Sequence, residues 1–218
     1  MTNTDILLED LEDVLDDATS IPLSKKCAVD VDKIKTIIED NLKINISELI
    51  KTALELLPVQ ADCQKDVEEF IIQRLTIFLA DTYRKDILEG CLIGNPLEKL
   101  YDYIKRVNAI SNFDSPMTIE NANRVIRILK DNSFEIIDED LFQCEEEGNL
   151  YSAIKAIEPT DNYGDYLKQL VGLNSKIDAF FEKVLVMDKD ENIKNNRIGL
   201  LTLLRSYYDI VADFSKIK

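Results

Sequence analysis

The chain contains no histidine among its 218 residues, and that absence removes more chemistry than any other feature of the sequence. Without imidazole there is no Ser-His or Cys-His nucleophile pair and no histidine ligand for a metal. Cysteine is sparse as well. Cys27, Cys63, Cys91 and Cys144 stand far apart and form no C-x-x-C pair, so neither a zinc site nor a disulfide framework is indicated, and packed, reduced thiols are expected. The six glycines, Gly90, Gly94, Gly148, Gly164, Gly172 and Gly199, are scattered and make no phosphate-binding loop. Carboxylates are plentiful, yet none falls in a spacing that separates a general acid or base from a solvated helix face. No catalytic residue, metal site or cofactor is expected in this chain.

Long apolar runs are missing too. No stretch of about 18 apolar residues is present to cross a membrane, and residues 1–17 are too acidic and too interrupted for a signal peptide. A cytosolic location with no membrane partner is the expectation. What is present is a 45% hydrophobic content, enough at this length to bury a sizeable core in one domain or two small ones.

A net charge of −16 opposes a nucleic-acid partner, because phosphate contacts need lysine and arginine and long-range repulsion slows encounter. Its distribution changes the argument. Residues 1–46 hold eleven acids against five bases, and residues 131–150 hold eight acids against none. Residues 160–218 hold nine of each and are neutral, which leaves room for a local basic face.

Apolar residues recur at helical spacing almost throughout. Ile6, Leu7, Leu11, Val14 and Leu15 mark a helix ending before Pro22, and Val31, Ile34, Ile37 and Ile38 mark a second. A third, capped by Ser47, carries Leu49, Ile50, Ala53, Leu56 and Leu57 and stops at Pro58. From Asp66 a longer helix runs through Phe70, Leu75 and Leu79; Asn95 and Pro96 read as the cap and first turn of the next. Further helices are expected at 122–129, 138–157, 163–171, 175–186 and 192–214. No segment alternates over a length that requires a sheet, so the fold class is all-α, a multi-helix bundle.

Three C-terminal segments are specific. Phe180-Phe181-x-x-Val184-x-Val186-Met187, Asn196-Arg197-Ile198-x-Leu200-Leu201 and Val211-Ala212-Asp213-Phe214-Ser215 resemble, in order and spacing, the C-terminal anticodon-binding region of the bacterial glycyl-tRNA synthetase beta subunit. Thr36 to Ile50, Phe70-x-x-x-Arg74-Leu75, Arg106-Val107-x-Ala109, Arg124-Val125-x-x-Ile128-Leu129-Lys130, and Asp140 to Tyr151 resemble further elements of that region. Residues 36–218 are covered as one domain; residues 1–35 do not resemble what precedes it in the family and are set apart as an acidic helical extension. Arg127 stands where the family commonly has asparagine, and Lys194 where arginine often precedes the Asn-Arg pair.

The resemblance implies a helical bundle of the anticodon-binding (DALR-like) type that grips the anticodon arm of glycine tRNA. In that family a separate alpha subunit uses ATP and glycine, so the implied partners are glycine tRNA and either the alpha subunit or the beta-subunit domains that this chain lacks. No DNA partner is implied. Anticodon bases are unstacked and are read by stacking and edge hydrogen bonds, with cations on the phosphates. The candidates are Arg106, Arg124, Arg127, Lys130, Lys194, Asn196, Arg197 and Arg205.

Each also has a structural reading. Asn196 and Arg197 can cap the last helix or pair with Asp188 or Asp190. Arg124, Arg127 and Lys130 can line a solvated face. Phe180, Phe181, Val184, Met187, Tyr207, Tyr208 and Phe214 are expected in the core, except that one of the adjacent tyrosines must face outward. The run Glu145 to Glu147 reads as solvated. A second function stays open: a stand-alone protein-interaction or regulatory module without RNA binding, in which the candidate cations are dispersed or paired with acids.

Overall fold

The computed structural model describes residues 43–56, 63–130 and 132–218, and the regular elements among them are all helical. The helices expected around residues 6–15 and 31–38, with the extension 1–35, lie outside the described residues. Contacts divide the described residues into two compact units, those within 43–88 with 94–104, and 89–93 with those within 105–218.

In the described part of the first unit, α1 (Ile46–Leu56) and α2 (Gln64–Leu79) pack together through Ile46, Ile50, Leu75 and Leu79, all buried. Ser47 was the expected cap, but Asn45 takes that place, its Oδ1 accepting from the Glu48 N–H at 3.0 Å. Ser47 instead donates its hydroxyl to Glu68. Gln64 and Asn95 also donate to the Glu68 carboxylate, at 2.8 and 2.9 Å. Burial pushes the Glu68 pKa up, and these three donors outweigh it, holding the carboxyl below its ordinary value. Helix α3 (Lys85–Gly90) was not expected; six residues are too short to show a periodicity. Asn95 caps a turn, accepting from the Leu97 N–H at 3.0 Å, and α4 (Leu100–Ser111) starts only at Leu100, with its residues from Lys105 onward belonging to the second unit.

The second unit is organised on its last long helix. Helix α5 (Pro116–Leu129) is followed by an extended stretch and a 3-10 turn at Glu139–Leu141. Then come α6 (Glu145–Lys155), α7 (Tyr163–Gly172), α8 (Asn174–Lys183) and α9 (Glu191–Tyr208). Helix α9 packs on α5 and α6, and α8 packs on the same two. Asn196 to Leu201 are six consecutive buried residues of α9, which is possible only where neighbours cover the helix on several sides. Val125, Leu150, Phe180, Leu200, Leu204 and Tyr208 are fully buried around it. The Tyr208 and Phe214 rings meet edge to face at 5.5 Å.

Two expected helices are corrected. The stretch 138–157 is not one helix, because Asp138 is held extended against α9 and Cys144 starts α6 afresh. The last helix ends at Tyr208, after which the chain turns back: the Asp213 N–H donates to Gly90 O at 2.7 Å. A Cβ on Gly90 would lie 2.9 Å from Ile217 Cγ1 and 3.1 Å from Asp213 O, so this return needs glycine. Met187 is 47% exposed rather than packed.

Candidate nucleic-acid interface

The candidate residues fall into three groups. The first is buried. Arg106 on α4 is 6% exposed; it lies beside Cys91, whose thiol burial pushes up to about 12 against the pull of that guanidinium. Asn196 is 3% exposed. Its Oδ1 accepts from the Asp138 N–H at 2.7 Å and its Nδ2 donates to Asp138 O at 2.9 Å, so the amide satisfies both backbone groups of one residue in the extended stretch. One turn on, a Cβ on Gly199 would sit 2.8 Å from Ile136 O; glycine lets that stretch lie directly on α9.

Arg197, 6% exposed, is committed to acids and backbone. Its Nε donates to Glu147 Oε1 at 2.7 Å, and its Nη1 donates to Asp188 Oδ2 at 2.8 Å and to Leu185 O at 3.0 Å. Burial disfavours its charge, but the two carboxylates outweigh that and raise its pKa. Asp188 is lowered by the Asp190 N–H first and then by Arg197. Glu147, expected on a solvated face, is instead fully buried. Its Oε2 accepts from the backbone N–H of Gln143 at 2.6 Å and of Cys144 at 3.1 Å, so one carboxylate closes the capping box of α6 and neutralises Arg197. The cue in the sequence was its place three residues into a helix.

The second group is paired at the surface of α9. Lys194 meets the Glu191 carboxylate at 2.7 Å, and Arg205 meets Asp209 at 3.3 Å.

The third group lies on α5. Its inward face is Thr118, Asn121, Ala122, Val125 and Leu129, registered against α8 by buried hydrogen bonds from Asn121 Nδ2 to Asn174 Oδ1 (3.2 Å) and from Asn174 Nδ2 to Thr118 Oγ1 (2.9 Å). The three- and four-residue spacing then turns Arg124 and Arg127 outward, and both are exposed, as is Lys130 at the helix end. No ion pair among the described residues involves any of the three. Arg127 Nε donates to Asn123 O at 3.2 Å. Arg124 Cζ lies 4.0 Å from the centre of the Phe181 ring on α8, a guanidinium resting on an aromatic face. Phe181 was expected in the core; it is half-buried, while its neighbour Phe180 fills the core position. Lys130 has a positive φ of 50°, unusual for a residue with a side chain.

Fold and site together define a class: a module helical in its described residues, whose buried polar residues hold the structure and whose candidate cations without an ion-pair partner among the described residues sit at one end of one helix. No family model matches the chain. Among characterised proteins it is 31% identical over 197 residues to the glycine–tRNA ligase beta subunit of Pseudoalteromonas atlantica. That alignment covers 82% of this chain and 28% of the relative. The beta subunit of Vibrio cholerae is 32% identical over 203 residues, 85% of this chain and 29% of the relative. That of Citrifermentans bemidjiense is 29% identical over 202 residues, 84% and 29%. The chain is thus a relative of glycine–tRNA ligase beta subunits over most of its own length, and it spans less than a third of theirs.

Proposed function

We propose that this chain is a tRNA-binding module of the glycine–tRNA ligase type, which holds the anticodon arm of glycine tRNA while the ligation is carried out by a separate catalytic subunit using ATP and glycine. The observation that carries it is the cationic end of α5. Arg124, Arg127 and Lys130 are exposed and without a carboxylate partner among the described residues, in a chain of net charge −16, and Arg124 is already held flat by Phe181. Cations kept clear of abundant acid are what a phosphate contact needs. A guanidinium plane fixed on one face also offers the other to an unstacked base. The relatives, named as subunits of glycine–tRNA ligase, support the same reading; the alpha subunit and the remaining beta-subunit domains are the implied protein partners.

Titration with glycine tRNA and with the same tRNA altered only in its anticodon tests the proposal. Tighter binding to the intact anticodon is expected; equal binding to both removes the anticodon from the account. One observation favours a second reading, a protein-interaction module without RNA affinity: Lys194, Arg197 and Arg205 are all paired with acids. Under that reading neither tRNA binds at low salt.

A further inference from the structure

Between α5 and the 3-10 turn, residues 132–138 run along α9 without forming a helix, and they meet it at every second position. The Phe134 N–H donates to Thr202 Oγ1 at 3.4 Å, Ile136 O lies on Gly199, and Asp138 spends both its backbone groups on Asn196. Positions 134, 136 and 138 thus face 202, 199 and 196 in turn. That period of two, with Asp138 at φ −110° and ψ 113°, is the geometry of a β-strand laid antiparallel to a helix.

In an extended chain the N–H and C=O groups of neighbouring residues point to opposite sides, so those of Ser133, Glu135 and Ile137 point away from α9. No hydrogen bond among the described residues takes them up. One edge of the stretch is held by α9 and the other is open, as at the rim of a sheet.

The side chains beside this edge are apolar and acidic. Phe134 and Ile136 share one face of the stretch and are both exposed, Ile136 by 71%. Glu135, Asp138, Glu139 and Asp140 are exposed as well, and no ion pair among the described residues involves any of them. These acids gather toward the end of the stretch away from Lys130. An open edge takes up another extended chain through main-chain hydrogen bonds, and alternate side chains decide which chain it is. A second copy of this protein would set acids against acids, and nucleic acid would be repelled.

We propose that the open edge of residues 133–137 binds an extended protein segment in which lysine or arginine alternates with apolar residues. The segment adds antiparallel, the slightly more stable pairing, with its apolar side chains over Phe134 and Ile136 and its cations opposite Glu135. The inference does not rest on the RNA-binding reading.

The test uses the full chain and short fluorescent peptides of lysine and valine, followed by anisotropy at low salt. The alternating peptide is expected to bind about tenfold more tightly than the same residues grouped by type, and its glutamate counterpart not to bind. Equal binding by alternating and grouped peptides reduces the contact to charge and overturns the proposal, as does no binding by either. The backbone is tested separately. In the antiparallel pairing the peptide's lysines carry the inward N–H groups, so N-methylating them is expected to abolish binding and N-methylating the valines to leave it; equal loss from both overturns the pairing. Ile136→Ser, at an exposed position, is expected to weaken binding about tenfold through one uncovered apolar side chain, and unchanged affinity would remove the apolar face from the site. In the wild type, bound peptide is expected to slow hydrogen exchange at the Glu135 and Ile137 amides and to leave Asp138, already bonded to Asn196, as it was. Protection at none of the three would overturn the edge assignment.

Discussion

Arg197 and Glu147, fifty residues apart in sequence, form a buried ion pair with Nε to Oε1 at 2.7 Å and side chains 7% and 1% exposed. The pair ties α9 to the first turn of α6, and through Nη1 it also holds the stretch at Leu185 and Asp188. A segment that carries the family resemblance, Asn196-Arg197-Ile198, is therefore used inside the fold: Asn196 seats the extended stretch and Arg197 clamps two others.

Removing the cation leaves the Glu147 carboxylate buried without its counter-charge. Arg197→Met is expected to cost about 3–5 kcal/mol, read from the urea midpoint at constant slope. Adding Glu147→Gln should recover part of that loss, since glutamine still accepts from the Gln143 and Cys144 N–H groups without a stranded charge. A double variant as unstable as the single one would place the cost elsewhere.

Gly199→Ala sets helix propensity against contact. Alanine favours a helix interior over glycine by about 1 kcal/mol, but its Cβ would fall 2.8 Å from Ile136 O, a backbone atom that must shift. The variant is expected to lose about 1–3 kcal/mol, with faster hydrogen exchange at the Asp138 amide because the Asn196 contact is displaced. A net gain in stability would mean that the extended stretch yields freely.

Lys130 ends α5 at φ 50°, where a side chain costs about 1 kcal/mol and glycine nothing. Lys130→Gly is therefore expected to raise the unfolding free energy by up to about 1 kcal/mol while weakening tRNA binding. A stability gain with affinity unchanged would remove Lys130 from the interface.

At alkaline pH the buried thiol and phenols dominate. Burial raises Cys91 from an ordinary 9.0 to about 12, and burial also raises Tyr166 and Tyr208, next to Tyr207 and Asp178 respectively. These groups keep their protons when folded and release them when unfolded. Their stabilisation is complete below pH 9 and is lost as pH rises from 9 towards 12. Urea midpoints are expected to be flat from pH 7 to 8.5 and to fall above 9, less steeply in Cys91→Ala. A flat profile through pH 11 would contradict the burial of these groups.

The all-α class was legible because helices such as α5 have one buried face, so apolar residues recur at three and four, as Val125 and Leu129 do. Helix ends were not, because distant partners set them. Asp138 is extended because Asn196, fifty-eight positions away, takes both its backbone groups, and periodicity carries no trace of that. The Asp188 partner of Arg197 was visible from proximity in the chain; the Glu147 partner was not, although glutamate at the third position of α6 hinted at a capping role. Among the adjacent tyrosines one had to face outward, and Tyr208 is the buried member. On the site, spacing alone set Arg124, Arg127 and Lys130 apart from the apolar face of α5, but their exposure and their lack of a carboxylate partner among the described residues required the fold. That Phe181 supports Arg124 also depends on how α8 meets α5.

The most direct test is the salt dependence of glycine-tRNA binding by the wild type and by Arg124→Ala/Arg127→Ala, plotted as log Kobs against log salt. If α5 carries the phosphate contacts, the double variant binds more weakly and its slope is shallower by about two, one for each lost contact. Parallel lines of equal affinity would contradict the account, and would show that any RNA bound by this chain is held somewhere other than the cationic end of α5.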